Sequence, residues 1–177
     1  AGSADVLRKL LASSANANVR GSSVTLLGRL GDAASVATAL ASDDRRVWQP
    51  AAAVVRELKS ADAATALAKV IPALPADRLP AVIQSCANSG NAAFASALTG
   101  LFASADAGVR ASAMEAVARL DVGSQLSVLL TAAARDDDAG KAALKALMET
   151  PADVATPLLK IMGGLSAAEQ PVALSLL

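Results

Sequence analysis

The chain is expected to be all-α, and more narrowly an α-solenoid (an α/α superhelix) of about six stacked two-helix units. Three observations predict it. The stretch NANVRGSSVTLLGRLG from Asn16 to Gly31 returns as DAGVRASAMEAVARLD from Asp106 to Asp121. Laid over each other, Val19 meets Val109, Arg20 meets Arg110, Val24 meets Met114, Leu27 meets Val117 and Leu30 meets Leu120, which is helical spacing. Residues suited to an N-cap recur as Asn16, Asp44, Asp77, Asp106, Asp136 and Ser166, with gaps of 28, 33, 29, 30 and 30. The apolar residues are mostly small: hydrophobic content is 54%, but aromatics are 2%, with no Tyr, two Phe and one Trp. Alanine is the best helix former, whereas strands draw on β-branched and aromatic residues. One two-helix unit cannot bury its apolar face alone, so a period near thirty residues calls for stacking.

Taken in order, DVLRKLLA (5–12) places Val6, Leu7, Leu10 and Leu11 on one stripe. Asn16 caps the partner helix, which runs to about Leu30 and stops at Gly31, a residue that tolerates positive φ. The pattern restarts at Asp32 with Val36, Ala37 and Leu40, and Asp44 caps a helix whose first turn is read to hold Pro50. Ala64, Leu67, Ala68 and Ile71 mark the next helix; Pro72 and Pro75 enforce a turn, Asp77 caps, Pro80 sits early and Gly90 stops. Phe94, Leu98, Leu101 and Phe102 precede the Asp106 copy. Leu126, Leu129 and Leu130 follow it, and Asp136 is assigned to cap the helix of Leu144 and Leu147. Pro151 opens the sixth unit, with Val154, Leu158 and Ile161 inward and Pro157 expected to bend the helix. Gly163 and Gly164 break it, and Ser166 with Glu169 has capping-box spacing ahead of Pro171.

The bulk numbers narrow the function classes. Sixteen basic against sixteen acidic residues leave no net charge to recruit nucleic acid or an anionic membrane. Apolar runs are only a few residues long, against roughly 20 needed to span a bilayer, so membrane insertion is not expected. Cys86 is alone, which excludes an internal disulfide. A start at Ala1 directly in a helical pattern suggests one domain over residues 1–177 excised from a longer protein. A cytoplasmic location is favoured, with an upstream targeting segment left open.

The run VTLLGRLGDAASVATALASDDRRVWQPAAAVVREL (24–58) resembles the short HEAT-like repeats of the phycobilisome lyase type. The pattern is an acidic cap, Val-Arg, Ala and Leu at helical spacing, then Leu-Gly. Val19, Arg20, Leu27, Gly28 and Leu30 match it in one unit, and Asp106, Val109, Arg110, Ala113, Val117 and Leu120 in another. The resemblance covers six units, good in the first, second and fourth. It implies that the Val-Arg helix of each unit lines the concave side.

Each catalytic chemistry known on helical repeats requires particular residues. A di-iron hydroxylase needs His ligands, and the chain has no histidine. A base-excision glycosylase needs a basic groove, which the charge balance opposes even with Trp48 present. A chromophore lyase, the activity for which the short repeat is named, needs a pocket with basic anchors, for which Arg29, Arg56 and Arg119 are candidates. Cys86 has no His to activate it and shares an apolar stripe with Val82 and Ile83, which reads as a buried structural thiol. Asp136, Asp137 and Asp138 lack the alternating ligands and glycine of a Ca²⁺ loop, so no metal or cofactor is expected.

What remains is a surface. Trp48 takes the place held by Arg20 and Arg110 in their copies, either as a binding anchor or as a ring filling a groove between repeats. Thr25, Arg29, Gln49, Arg56, Glu57, Glu115, Arg119, Lys141 and Lys145 should project from successive second helices. The expected function is a non-catalytic scaffold that binds another protein or an adjacent domain, with Arg29, Trp48, Arg56 and Arg119 as the contact residues. The rivals are a lyase-like enzyme component and a structural spacer.

Overall fold

The structure, a computed structural model, describes residues 2–177. Among these there is no strand. The chain is all-α, an unbroken succession of helices joined by short turns: α1 (Ser3–Ser13), α2 (Ala17–Arg29), α3 (Ala33–Leu40), α4 (Arg45–Val54), α5 (Ala61–Ala68), α6 (Leu79–Ser89), α7 (Ala95–Thr99), α8 (Ala107–Ala133), α9 (Asp138–Glu149), α10 (Ala155–Ile161) and α11 (Glu169–Ser175). α8 is two helices that meet at a kink. Asp121 is extended between them (φ −161°, ψ 66°), and its carboxylate accepts from the Ser124 amide at 3.1 Å, capping the second half.

Two compact units divide the chain, Ala1–Phe94 and Ala95–Leu177. In the first, α2, α4 and α6 form one row, each packed on the next, and α3 and α5 pack in a second row. Val24, Leu27, Val36, Leu40, Leu67, Ile71 and Val82 are wholly buried between them. In the second unit α7, α9, α10 and α11 each pack against one or other half of α8. Val117, Leu129, Leu130, Ala143 and Leu158 are its buried centre. Leu27 and Val117, matched by the copy, are both 0% exposed.

The repeat geometry rests on local polar bonds. Asn16 accepts from the Asn18 amide (2.9 Å), Asp44 from that of Arg46 (3.0 Å) and Asp106 from that of Val109 (3.0 Å), as expected. Asp32 and Ser60 cap the first helices of their hairpins in the same way. A serine stands two residues before three of the caps: Ser14, Ser42 and Ser104 accept from the amides of Asn16, Asp44 and Asp106. Past α2, Gly31 (φ 81°) lets its own amide reach the Gly28 carbonyl and that of Asp32 reach Leu27, a Schellman ending.

Five expectations are corrected. Ser166 does not cap α11, whose N-cap position is Ala168 with no side-chain bond, although Glu169 does accept from the Ser166 amide and hydroxyl. Asp77 does not cap α6, whose N-cap position is Arg78 with no side-chain bond. Asp137, not Asp136, caps α9, accepting from the Gly140 amide at 2.8 Å while Arg135 pairs with it at 2.6 Å. Pro50 lies inside α4 rather than in its first turn. Pro157 is in the first turn of α10, because Asp153 accepts from the Thr156 amide and starts the helix there, so no bend arises.

These caps make a prediction for acid. The side chain and amide of Arg46 hold the Asp44 carboxyl below its ordinary value. The Gly140 amide, then Arg135, do the same for Asp137, and Thr156 does it for Asp153. A depressed carboxyl pKa contributes stability that is complete above the unfolded value and is lost as pH falls through the folded one. The melting temperature should therefore be flat from neutral pH to about pH 4 and decline below it. A decline beginning above pH 5 in a pH series of thermal melts would contradict this account.

Candidate functional site

A close helix seam in the first unit lies between α2 and α4, and its sequence explains how it forms. Gly21 of α2 rests on the Arg46 carbonyl so closely that a Cβ there would overlap that oxygen, and the Pro50 ring lies just beyond. Pro50 has no amide to give that carbonyl through an i−4 bond, so the proline inside α4 and the glycine of α2 meet at one spot. A turn and more further on, a Cβ at Gly28 would come within 2.5 Å of Val54.

Along the outside of this seam runs a groove of about 480 Å³, with Asn18, Ser22 and Thr25 on one side and Arg46, Gln49 and Ala53 on the other. Its far end is a second hollow of about 80 Å³ that shares Thr25, Pro50 and Ala53 and adds Arg29, Arg56 and Glu57. The expected neighbours Thr25, Arg29, Gln49, Arg56 and Glu57 thus line one face. Arg29 and Arg56 are exposed, Arg56 Nε lies 3.4 Å from Glu57, and Arg29 has no ion pair among the described residues.

Trp48 is elsewhere. It falls on the side of α4 that carries the buried Ala52 and Val55, at spacings of four and seven, away from Arg46, Gln49 and Ala53. Its half-buried ring lies under the Arg78 guanidinium, 5.5 Å from centroid to Cζ. Arg119 is exposed on α8, in the second unit.

The matched arginines have a structural task that explains Trp48. Arg20 and Arg110 each donate from Nη1 to the carbonyl six residues earlier, Ser14 and Ser104, at 2.6 Å. Arg20 also reaches Asp44, the cap of the next hairpin, at 3.1 Å. Trp48 cannot do this. Arg78 reaches back from the following hairpin instead, donating to the Leu40 carbonyl at 2.8 Å while stacked on the indole. Arg78 is 7% exposed, and its Nε has no protein partner. Sequence reasoning passed over it; the signal was the missing arginine in the second copy.

A larger hollow of about 780 Å³ opens between α1 and α3, floored by Leu11, Ala12, Ala39 and Val47. Its charged groups are already engaged. Arg8 pairs with Asp32 at 2.7 Å, and Arg20 with Asp44. Burial raises the Asp32 carboxyl, but the Ser35 amide, Arg8 and the Ser35 hydroxyl outweigh it and leave it below its ordinary value.

Two reactive candidates are accounted for. Cys86 is buried, and burial pushes its thiol up to about 12, so it carries no thiolate at neutral pH. Asp137 is occupied by the Gly140 amide and Arg135, and no cluster of three or more metal-ligating side chains exists among the described residues. No helix among them is long and apolar enough to cross a membrane.

No family model matches the chain, and no curated protein matches it. Among solved structures, it is similar to the crystal structure of an engineered protein, with 17% identity over 98% of this chain and 94% of that one, at a TM-score of 0.42. It is also similar to the complex of CpcE and CpcF of phycocyanin lyase from Nostoc sp. PCC7120, with 19% identity over 98% of this chain and 82% of that one, at a TM-score of 0.47.

Proposed function

We propose that the chain is a non-catalytic HEAT-like repeat module that binds another protein, or a neighbouring domain of a longer polypeptide, along the α2–α4 groove. The observation that carries this reading is the hollow lined by both Arg29 and Arg56, where one of the two guanidiniums has no carboxylate of its own. Guanidiniums side by side suit carboxylates, which they grip through paired hydrogen bonds. Thr25 and Gln49 add neutral polar groups, while Pro50 and Ala53 give an apolar floor. The matching ligand is an acidic, partly apolar segment laid along the groove. The inert thiol of Cys86 weighs against a nucleophilic enzyme. Trp48 is left out of the contact set because it already stacks on Arg78, and Arg119 would contact a partner only through the second unit.

The test is fluorescence anisotropy against a panel of labelled acidic peptides that carry an apolar residue beside the carboxylates. Binding should weaken as salt rises and vanish in Arg29→Glu with Arg56→Glu, while ellipticity and melting temperature stay unchanged because both side chains are exposed. Equal binding by the double variant would remove this groove from consideration and favour the spacer reading.

A further inference from the structure

The first hairpin carries on its outer side the surface of an internal repeat. Ten residues after each cap, Leu26, Val54 and Ala116 are equivalent; Val54 and Ala116 are 3% and 2% exposed, and Leu26 is 45%. Fourteen residues after the cap, Leu58 is 1% exposed and Leu30 is 59%. Val19, on the same stripe, is half-buried where Val47 is 3% exposed. On the first helix of the hairpin, Val6 and Leu10 are 50% and 39% exposed, and α1 buries no residue at all. Between Val6, Leu7, Leu26 and Leu30 lies an open apolar hollow of about 520 Å³.

Elsewhere in the chain a neighbouring helix covers these positions. Val54 of α4 packs against α2 at Gly28, one of two glycines seven residues apart on the receiving face. Val19, Leu26 and Leu30 are the same stripe of α2, turned the other way. We infer that this face is a docking surface for one further helical hairpin of the same kind, whose second helix presents small residues at the places of Gly21 and Gly28. An end repeat that closes an array carries a polar outer face instead. A second copy pairing face to face fits poorly, because Arg29 lies within the patch and would meet its own image.

The face borders the α2–α4 groove at Arg29, but the inference rests on the apolar stripe alone, and its test supplies the occupant. A chain in which residues 3–32 are duplicated ahead of Ser3 gives the face a hairpin bearing Gly21 and Gly28. Helical ellipticity should rise in proportion to the added residues, and the melting temperature by about 4 °C or more. Leu26→Asp with Leu30→Asp in the original hairpin should abolish the rise, measured against the same pair in the unextended chain. An added segment that stays unfolded, or an equal gain with and without the aspartates, would overturn the inference. So would sedimentation showing that the unextended chain is a dimer dissolved by Leu26→Asp, which would give the face to a second copy.

Discussion

Leu27→Ala is expected to lower stability by about 2 to 5 kcal/mol, the range for emptying a leucine site in a packed core. Leu27 is 0% exposed, on the side of α2 that faces its own hairpin and the next. Its neighbour Leu26 is 45% exposed, so Leu26→Ala should stay within about 0.5 kcal/mol of the parent. Urea titration of both variants compares two leucines one residue apart. A loss below about 0.5 kcal/mol at Leu27 would mean that the phase of α2 is wrong.

Gly21→Val is expected to cost about 3 kcal/mol or more, at the upper end of overpacking effects. The obstacle is the Arg46 carbonyl, a main-chain group that cannot rotate aside, so α4 itself must move. Gly31→Ala is the comparison. There φ is 81° with nothing within 4 Å of the new Cβ, and the cost should be about 1 to 2 kcal/mol, from the left-handed backbone alone. Thermal melts that rank Gly31→Ala as the worse variant would show the α2–α4 seam to be loose.

The all-α class and the hairpin period were legible because both are written in local spacing. The caps at Asn16, Asp44 and Asp106 were legible for the same reason, since side chain and amide lie within three residues. Asp136 was misassigned because a run of three aspartates offers three candidate caps, and the choice of Asp137 depends on Arg135 and on the tight approach of Gly140 to the Arg135 carbonyl. Asp77 failed through a long-range bond. The residue beside it, Arg78, is drawn to the Leu40 carbonyl 38 positions earlier, and the helix starts after it.

At the groove, the adjacency of Arg29 and Arg56 followed from the repeat register and the Val-Arg helices stacking in a row. Trp48 was assigned to the contact surface, although its spacing pointed inward. It shares a four-and-seven spacing with Ala52 and Val55, both of which are buried. The open face of the first hairpin was not readable, because Leu26 and Leu30 look the same in sequence whether or not a neighbour covers them.

The stack of Arg78 on Trp48 makes the protein its own optical reporter. With one Trp and no Tyr, nearly all its near-ultraviolet emission arises at a single point, the junction of the second and third hairpins. Ellipticity averages over every helix of both units, whereas the indole registers only the first. Followed together through one denaturant series, the two signals coincide if Ala1–Phe94 and Ala95–Leu177 melt as one and part if they melt separately, without any label.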